Sequence, residues 1–303
     1  MASESRRLVI LALIANGTIA VTKFVAAGIS GSSAMLAEGF HSVADTGNQL
    51  FLLRGDVASR YDPDVKHPFG RGKEIYFWAF MVAVFLFVGG SVLSIVSGVD
   101  KIRHPGDHGE IGLTFSLIVL GIAGVFEIFI AFRPALKQFN QMRAGRSVLR
   151  TIREGKDPAL LVVVFEDSAA VVGLVIAAAG LILTDVTGNA VWDGIASVLI
   201  GLLLAVVAWF LAVEMKAMLV GEAATREERA LIMAAILSID EVNHVDRVLT
   251  MQLAPHEILV NADVVFDDGL SGDELEDAVA AVESSIVDAV PVATRVFIEP
   301  GNA

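Results

Sequence analysis

The sequence predicts an α-helical membrane domain of six transmembrane helices followed by a C-terminal α+β domain. Three observations predict this. The chain has 303 residues of which 55% are hydrophobic, with mean hydropathy +0.67, too apolar for an ordinary soluble domain. Its net charge of −13 is unevenly placed: residues 1–216 carry 18 Lys+Arg against 18 Asp+Glu, whereas residues 217–303 carry 4 against 17. Apolar runs of membrane-spanning length recur through the first part and then give way to short amphipathic segments. The expected division is therefore a membrane domain at 1–216 and an acidic C-terminal domain at 217–303. That acidity argues against nucleic acid as a partner. The chain has no cysteine, which excludes disulfides, thiolate metal sites and cysteine nucleophiles together. No cleavable signal peptide is expected.

The six runs fall at 8–27, 33–53, 75–99, 111–132, 159–183 and 191–213, each about 20 residues, as a ~30 Å hydrocarbon core requires. Positive charge sorts the connections. Arg6 and Arg7 precede the first run. Arg54, Arg60, Lys66, Arg71 and Lys73 fill the connection after the second. Arg133, Lys137, Arg143, Arg146, Arg150, Arg153 and Lys156 fill the one after the fourth, while the first and last hairpins carry none. The positive-inside rule then puts both termini, both basic connections and the acidic domain in the cytoplasm of an integral membrane protein, a bacterial-type plasma membrane being the expected location.

The second run is the unusual one. Glu38, His41, Asp45, Asn48 and Gln49 recur three or four residues apart and share one helical face, against Ala, Leu, Val and Phe on the other. An intramembrane aspartate costs about 2.5–3.5 kcal/mol on insertion scales unless water, an ion or a partner compensates it. His41 and Asp45, one turn apart, suit a divalent transition metal. The second run descends toward the cytoplasm and the fifth climbs away from it, so Asp45 and Asp167 each lie about 8 residues, ~12 Å, from the cytoplasmic side. Glu38 and Glu166 join that neighbourhood. Carboxylates so close would repel one another, and a bound cation relieves the repulsion.

Other polar residues are weaker candidates. Glu127 reads as a boundary anchor, and Lys23 either snorkels outward or pairs with a buried acid. Asp193 and Asn189 stand where they would cap the sixth helix. His104 and His108 are separated by a Pro-Gly turn and read as surface loop. In the tail, 227–239 is amphipathic with Thr225 as cap, 242–253 and 257–266 alternate as strands, 271–288 is a helix capped by Ser271, and 294–298 is a last strand. The order αββαβ is ferredoxin-like, a small sheet with two helices on one face whose open edge makes a dimer plausible. His244 and His256 flank the first strand as surface residues.

These pieces together resemble the cation diffusion facilitator family over nearly the whole chain. The resemblance is carried by GISGSSAMLAEGFHSVAD through the second helix and by HPFGRGKEIYFW entering the third. WDGIASVLIG in the sixth helix and the tail ending in VFIEP add to it. FEDSAAVVG and NHVDRVLTMQLAP are similar to the branch related to zinc transporter 9. The resemblance implies a homodimer in the lipid bilayer that exports a divalent metal, Zn²⁺ first, in exchange for protons by alternating access. It implies a secondary transporter with no enzymatic activity and no prosthetic group. Its metal ligands map onto His41, Asp45 and Asp167, with the fourth position falling on Val163, which cannot ligate. Glu166, Glu38 or water would then complete the set, and an oxygen-rich set also admits Mn²⁺, Fe²⁺ or Co²⁺. Asp64 and His67 resemble part of an accessory metal site whose later histidine is replaced by Arg71. In the tail His244 and Glu299 stand near expected ligand positions without the remaining histidines. Val163 leaves an alternative, a non-transporting metal sensor or partner-binding scaffold. No His-Glu-x-x-His, Gly-x-Ser-x-Gly or phosphate-cradling loop supports a hydrolase.

Overall fold

The computed structural model describes residues 17–105, 110–143, 145, 147, 151 and 157–301. They fall into two compact units, one holding the described residues of Met1–Asp56 and of Phe77–Met215, the other Val57–Tyr76 with the described part of Lys216–Ala303. The connection at 57–76, which the sequence assigns to the membrane domain by position alone, thus belongs with the acidic tail.

The first unit is helical. Helix α1 covers Gly17–Ser30 and α2 Ser33–Ser59, separated only by Gly31 and Ser32. Gly31 has φ +64°, the left-handed conformation that ends a helix and that glycine adopts without steric cost. Helix α3 runs from Glu74 to Arg103 with a π-helical stretch at Leu86–Val92. Helix α4 comprises Glu110–Phe126, a π-helical stretch Glu127–Phe132 and the segment Arg133–Arg143. Helices α5 (Pro158–Thr187) and α6 (Val191–Val220) form a hairpin through Gly188. Among the described residues four helices are long and apolar enough to cross a membrane: α3, most of α4, α5 and α6. The polar stripe of α2 keeps it out of that group.

Small residues let these helices approach closely, as in membrane bundles where shape rather than hydrophobicity drives association. A Cβ on Gly98 would lie 2.6 Å from the Gly194 carbonyl oxygen, and one on Gly201 would lie 2.8 Å from that of Ser91. Ser197 donates to the Ser94 carbonyl at 2.8 Å across the same α3–α6 seam. Helix α2 meets α3 where Phe51 stacks on Trp78 at 5.8 Å and meets Phe85 edge-on at 5.7 Å.

Asp193 does not cap its own helix. Asn189 does so, accepting from the Val191 amide at 3.0 Å. The fully buried Asp193 carboxylate instead caps α2, accepting from the Ser33 and Ala34 amides at 2.6 and 3.2 Å and from the Ser32 and Ser33 hydroxyls. The first amides of a helix have no intrahelical partner and carry the positive end of its dipole, so a carboxylate supplied by another helix satisfies both needs.

The second unit has the expected order αββαβ: α7 (Arg226–Ile236), β1 (Val242–Ala254), β2 (Glu257–Phe266), α8 (Gly272–Ala289) and β3 (Arg295–Gly301). Both helices start in capping boxes, Thr225 with Glu228 and Ser271 with Glu274. Strand β2 is central, antiparallel to β1 and parallel to β3. Its alternate residues Ile258, Val260, Ala262 and Val264 pack with Ile232 and Ile236 of α7 and Val282 and Ile286 of α8. The period of two on the strand and of three to four on the helices places every one of these side chains on the shared face.

Candidate metal centre

Each residue of the polar stripe on α2 now has a definite environment. His41 is 1% exposed, with Nδ1 3.4 Å from Asp45 Oδ1, a charge-pair distance rather than a hydrogen bond. Asn48, one turn further, donates from Nδ2 to Glu166 Oε1 of α5 at 2.6 Å. Asp45 and Glu166 lie within hydrogen-bonding reach of each other. At the other end of the stripe Glu38 lies against Gly173 of α5, where any Cβ would come within 2.6 Å of Oε1. These two contacts fix the register of α2 on α5. The helices run antiparallel, and interpolating between Glu38–Gly173 and Asn48–Glu166 sets Asp45 level with Asp167 to within about one residue. Side-chain contacts thus bring the two aspartates level with each other on the helix pair.

What these groups lack is as informative. Buried side-chain atoms without a hydrogen-bond partner include both ring nitrogens of His41, Asp45 Oδ1, Asn48 Oδ1, Gln49 Oε1, Asp167 Oδ2 and Glu38 Oε1. A native interior leaves few such atoms, and each calls for water, an ion or a function. These seven atoms are on α2 or on the facing part of α5, whereas the other such atoms among the described residues, Arg71 Nε, Ser91 Oγ, Ser116 Oγ, Thr184 Oγ1 and Gln252 Oε1, are scattered. All seven have a lone pair to offer except for one of the two imidazole nitrogens. The donor set, one imidazole with several carboxylates, fits a divalent transition ion. In this conformation the ligating atoms do not yet meet at a point: among the described residues no three of His, Asp and Glu form a group that could hold a metal ion.

Two expected ligands have other partners. Glu38 Oε2 accepts from Lys23 Nζ at 3.0 Å, and the same ammonium donates to Ser42 Oγ at 2.8 Å. Lys23 therefore does not snorkel but pairs with a buried acid. Asp64 accepts from the His67 amide at 2.7 Å and from Arg71 Nη2 at 2.6 Å. The Arg71 guanidinium, aided by that amide, holds the Asp64 carboxyl well below the usual carboxylate range. The accessory site expected at Asp64 and His67 thus already contains a cation, one fixed to the chain. Val163 offers no ligand one turn from Asp167. Sequence reasoning underrated Glu127, which opens the π-helical stretch of α4 and is within electrostatic reach of Lys23, Asp45 and Asp167. Such stretches are frequent at functional sites, but no hydropathy signal marks them. His244 pairs with Asp246 at 3.1 Å on the exposed face of β1, and His104 with Asp100 at 3.1 Å. His108 lies outside the described residues.

A helix with a stripe of unsatisfied ligating atoms, faced by carboxylates of a second helix that is long and apolar enough to cross a membrane, and followed by a small α+β domain, describes a membrane protein with a candidate cation site. Comparison with known proteins makes this specific. The family model for the cation efflux transmembrane domain matches residues 9–220, and that for the cation efflux protein cytoplasmic domain matches 224–300. The chain belongs to the cation efflux family, a family of transporters and not of enzymes.

Its relatives include metal tolerance protein C4 of Arabidopsis thaliana, 32% identical over 267 residues that cover 87% of this chain and 58% of that protein. The human mitochondrial proton-coupled zinc antiporter SLC30A9 is 29% identical over 261 residues, 86% of this chain and 46% of that protein. The manganese efflux system protein MneP of Bacillus subtilis is 23% identical over 269 residues, 86% of this chain and 84% of that protein. The chain thus spans about half the length of the first two relatives.

Proposed function

We propose that this chain is a proton-coupled exporter of divalent transition-metal ions, with Zn²⁺ as its substrate. The observation that carries the reading is the row of buried, partnerless ligating atoms along α2, level with Asp167 on α5. His41, Asp45 and Asp167 hold the ion, and Glu166, oriented by Asn48, takes the place that Val163 leaves open. Metal and protons compete for the same lone pairs, so each ion bound displaces protons and each reprotonation releases the ion. That competition is what an antiporter needs. Six spans with both termini in the cytoplasm follow from the basic connections, α1 and α2 supplying the two spans beyond the four long apolar helices. Rocking of the bundle exposes the site alternately to each side. The αββαβ domain joins two copies, as the match to the family's cytoplasmic domain supports. A bacterial-type plasma membrane is the location in this reading, and the mitochondrial relatives supply the competing one.

Manganese is the second reading, favoured by the carboxylate-rich ligand set and by the similarity to MneP. Purified protein in liposomes under an imposed proton gradient, offered Zn²⁺, Mn²⁺, Fe²⁺ and Co²⁺ in turn, tests both. Gradient-driven flux of one ion that disappears in the Asp45→Ala, Asp167→Ala double variant is the expected result. Absence of flux for all four ions from a folded, inserted protein would overturn the transport reading and leave a sensor or scaffold.

A further inference from the structure

Lys23 is 1% exposed and sits on α1, with its ammonium bonded to Glu38 and Ser42 of α2. Those two residues flank His41. A buried lysine survives only when paired, and here the pairing is supplied by a carboxylate on the metal-facing stripe. The arrangement is held from both sides. Next to Lys23, Phe24 lies over Gly39, where a Cβ would be 3.2 Å from the ring, and it meets Phe40 edge-on at 5.6 Å. Behind Glu38, the missing side chain of Gly173 leaves room for Oε1, an oxygen with no hydrogen-bond partner. Residues three apart on a helix have Cβ atoms about 5–6 Å apart, so a released Glu38 carboxylate can reach an ion on His41.

We propose that Lys23 determines ion specificity: tethered on α1, its ammonium holds Glu38 away from the cation bound at His41, so that the site favours zinc over manganese. Zinc is content with four ligands including an imidazole, whereas manganese prefers more ligands and oxygen donors. Withholding one carboxylate therefore disfavours the harder ion. The inference rests on the metal-exchange reading above.

The test measures Zn²⁺ and Mn²⁺ binding to the full chain in detergent by titration calorimetry, and uptake of each ion into liposomes. Lys23→Met frees Glu38 and is expected to raise the manganese-to-zinc ratio of affinities about tenfold, a difference of about 1.4 kcal/mol. Lys23→Arg keeps a cation on Glu38 and should retain the wild-type ratio. Lys23→Met combined with Glu38→Gln removes both charges, strands no buried carboxylate, and should return the ratio to that of the wild type even if the single variant is too unstable to purify. An unchanged ratio in Lys23→Met with zinc still bound would overturn the proposal alone, as would a double variant that selects manganese. A wild type that binds neither ion would overturn the metal-exchange reading, and this proposal with it.

Discussion

Replacing Asp193 by alanine should destabilise the helical unit by about 3 kcal/mol. The carboxylate accepts four hydrogen bonds from Ser32 and the first two residues of α2, two from backbone amides and two from hydroxyls. The hydroxyls can rotate toward other acceptors, but the Ser33 and Ala34 amides point along the helix axis and cannot. Losing a helix cap costs about 0.5–2 kcal/mol, and each buried donor left unpaired costs about 1–3 kcal/mol. Two stranded amides, partly repaired by entering water, give the figure above. Asp193→Asn keeps one acceptor oxygen and should lose roughly half as much. Unfolding in detergent, followed by circular dichroism against denaturant, would measure both, with Asp185→Ala at an exposed position as a control expected within about 0.5 kcal/mol of wild type. An Asp193→Ala protein within 1 kcal/mol of wild type would refute the reasoning, because it would mean that the start of α2 needs no anion from α6.

Asn48→Leu removes the hydrogen bond that orients Glu166 and should weaken zinc binding about tenfold, as loss of an outer partner typically does; calorimetric titration would show it. Gly98→Val drives a side chain into the Gly194 carbonyl and Val198, so it should cost at least about 1–3 kcal/mol in the same unfolding assay. Asp64, whose carboxyl is depressed by Arg71, contributes stability that is present above the unfolded value of about 3.9 and is lost only as pH falls through the lower folded value. The carboxyl carbon resonance of Asp64 should therefore show it ionised where an ordinary aspartate protonates, and Arg71→Ala should move the titration up toward about 3.9.

Much of this was legible in the residues because it depends on local periodicity. Apolar runs marked α3 to α6, capping residues marked the starts of α7 and α8, and alternation marked β1 and β2. The stripe from Glu38 to Gln49 was visible because helical spacing alone puts its members on one face. Chain direction even placed Asp45 and Asp167 at one depth. Partners between helices were not legible, because a sequence does not state which of several acids a given cation meets. Only packing assigned Lys23 to Glu38, Asn48 to Glu166 and Arg71 to Asp64. Only packing turned Asp193 from the cap of its own helix into the cap of α2. The physical reason is common to the three that are buried, Lys23, Asn48 and Asp193: a buried charge or unpaired amide must find a partner, and which partner it finds is set by close approach between different helices.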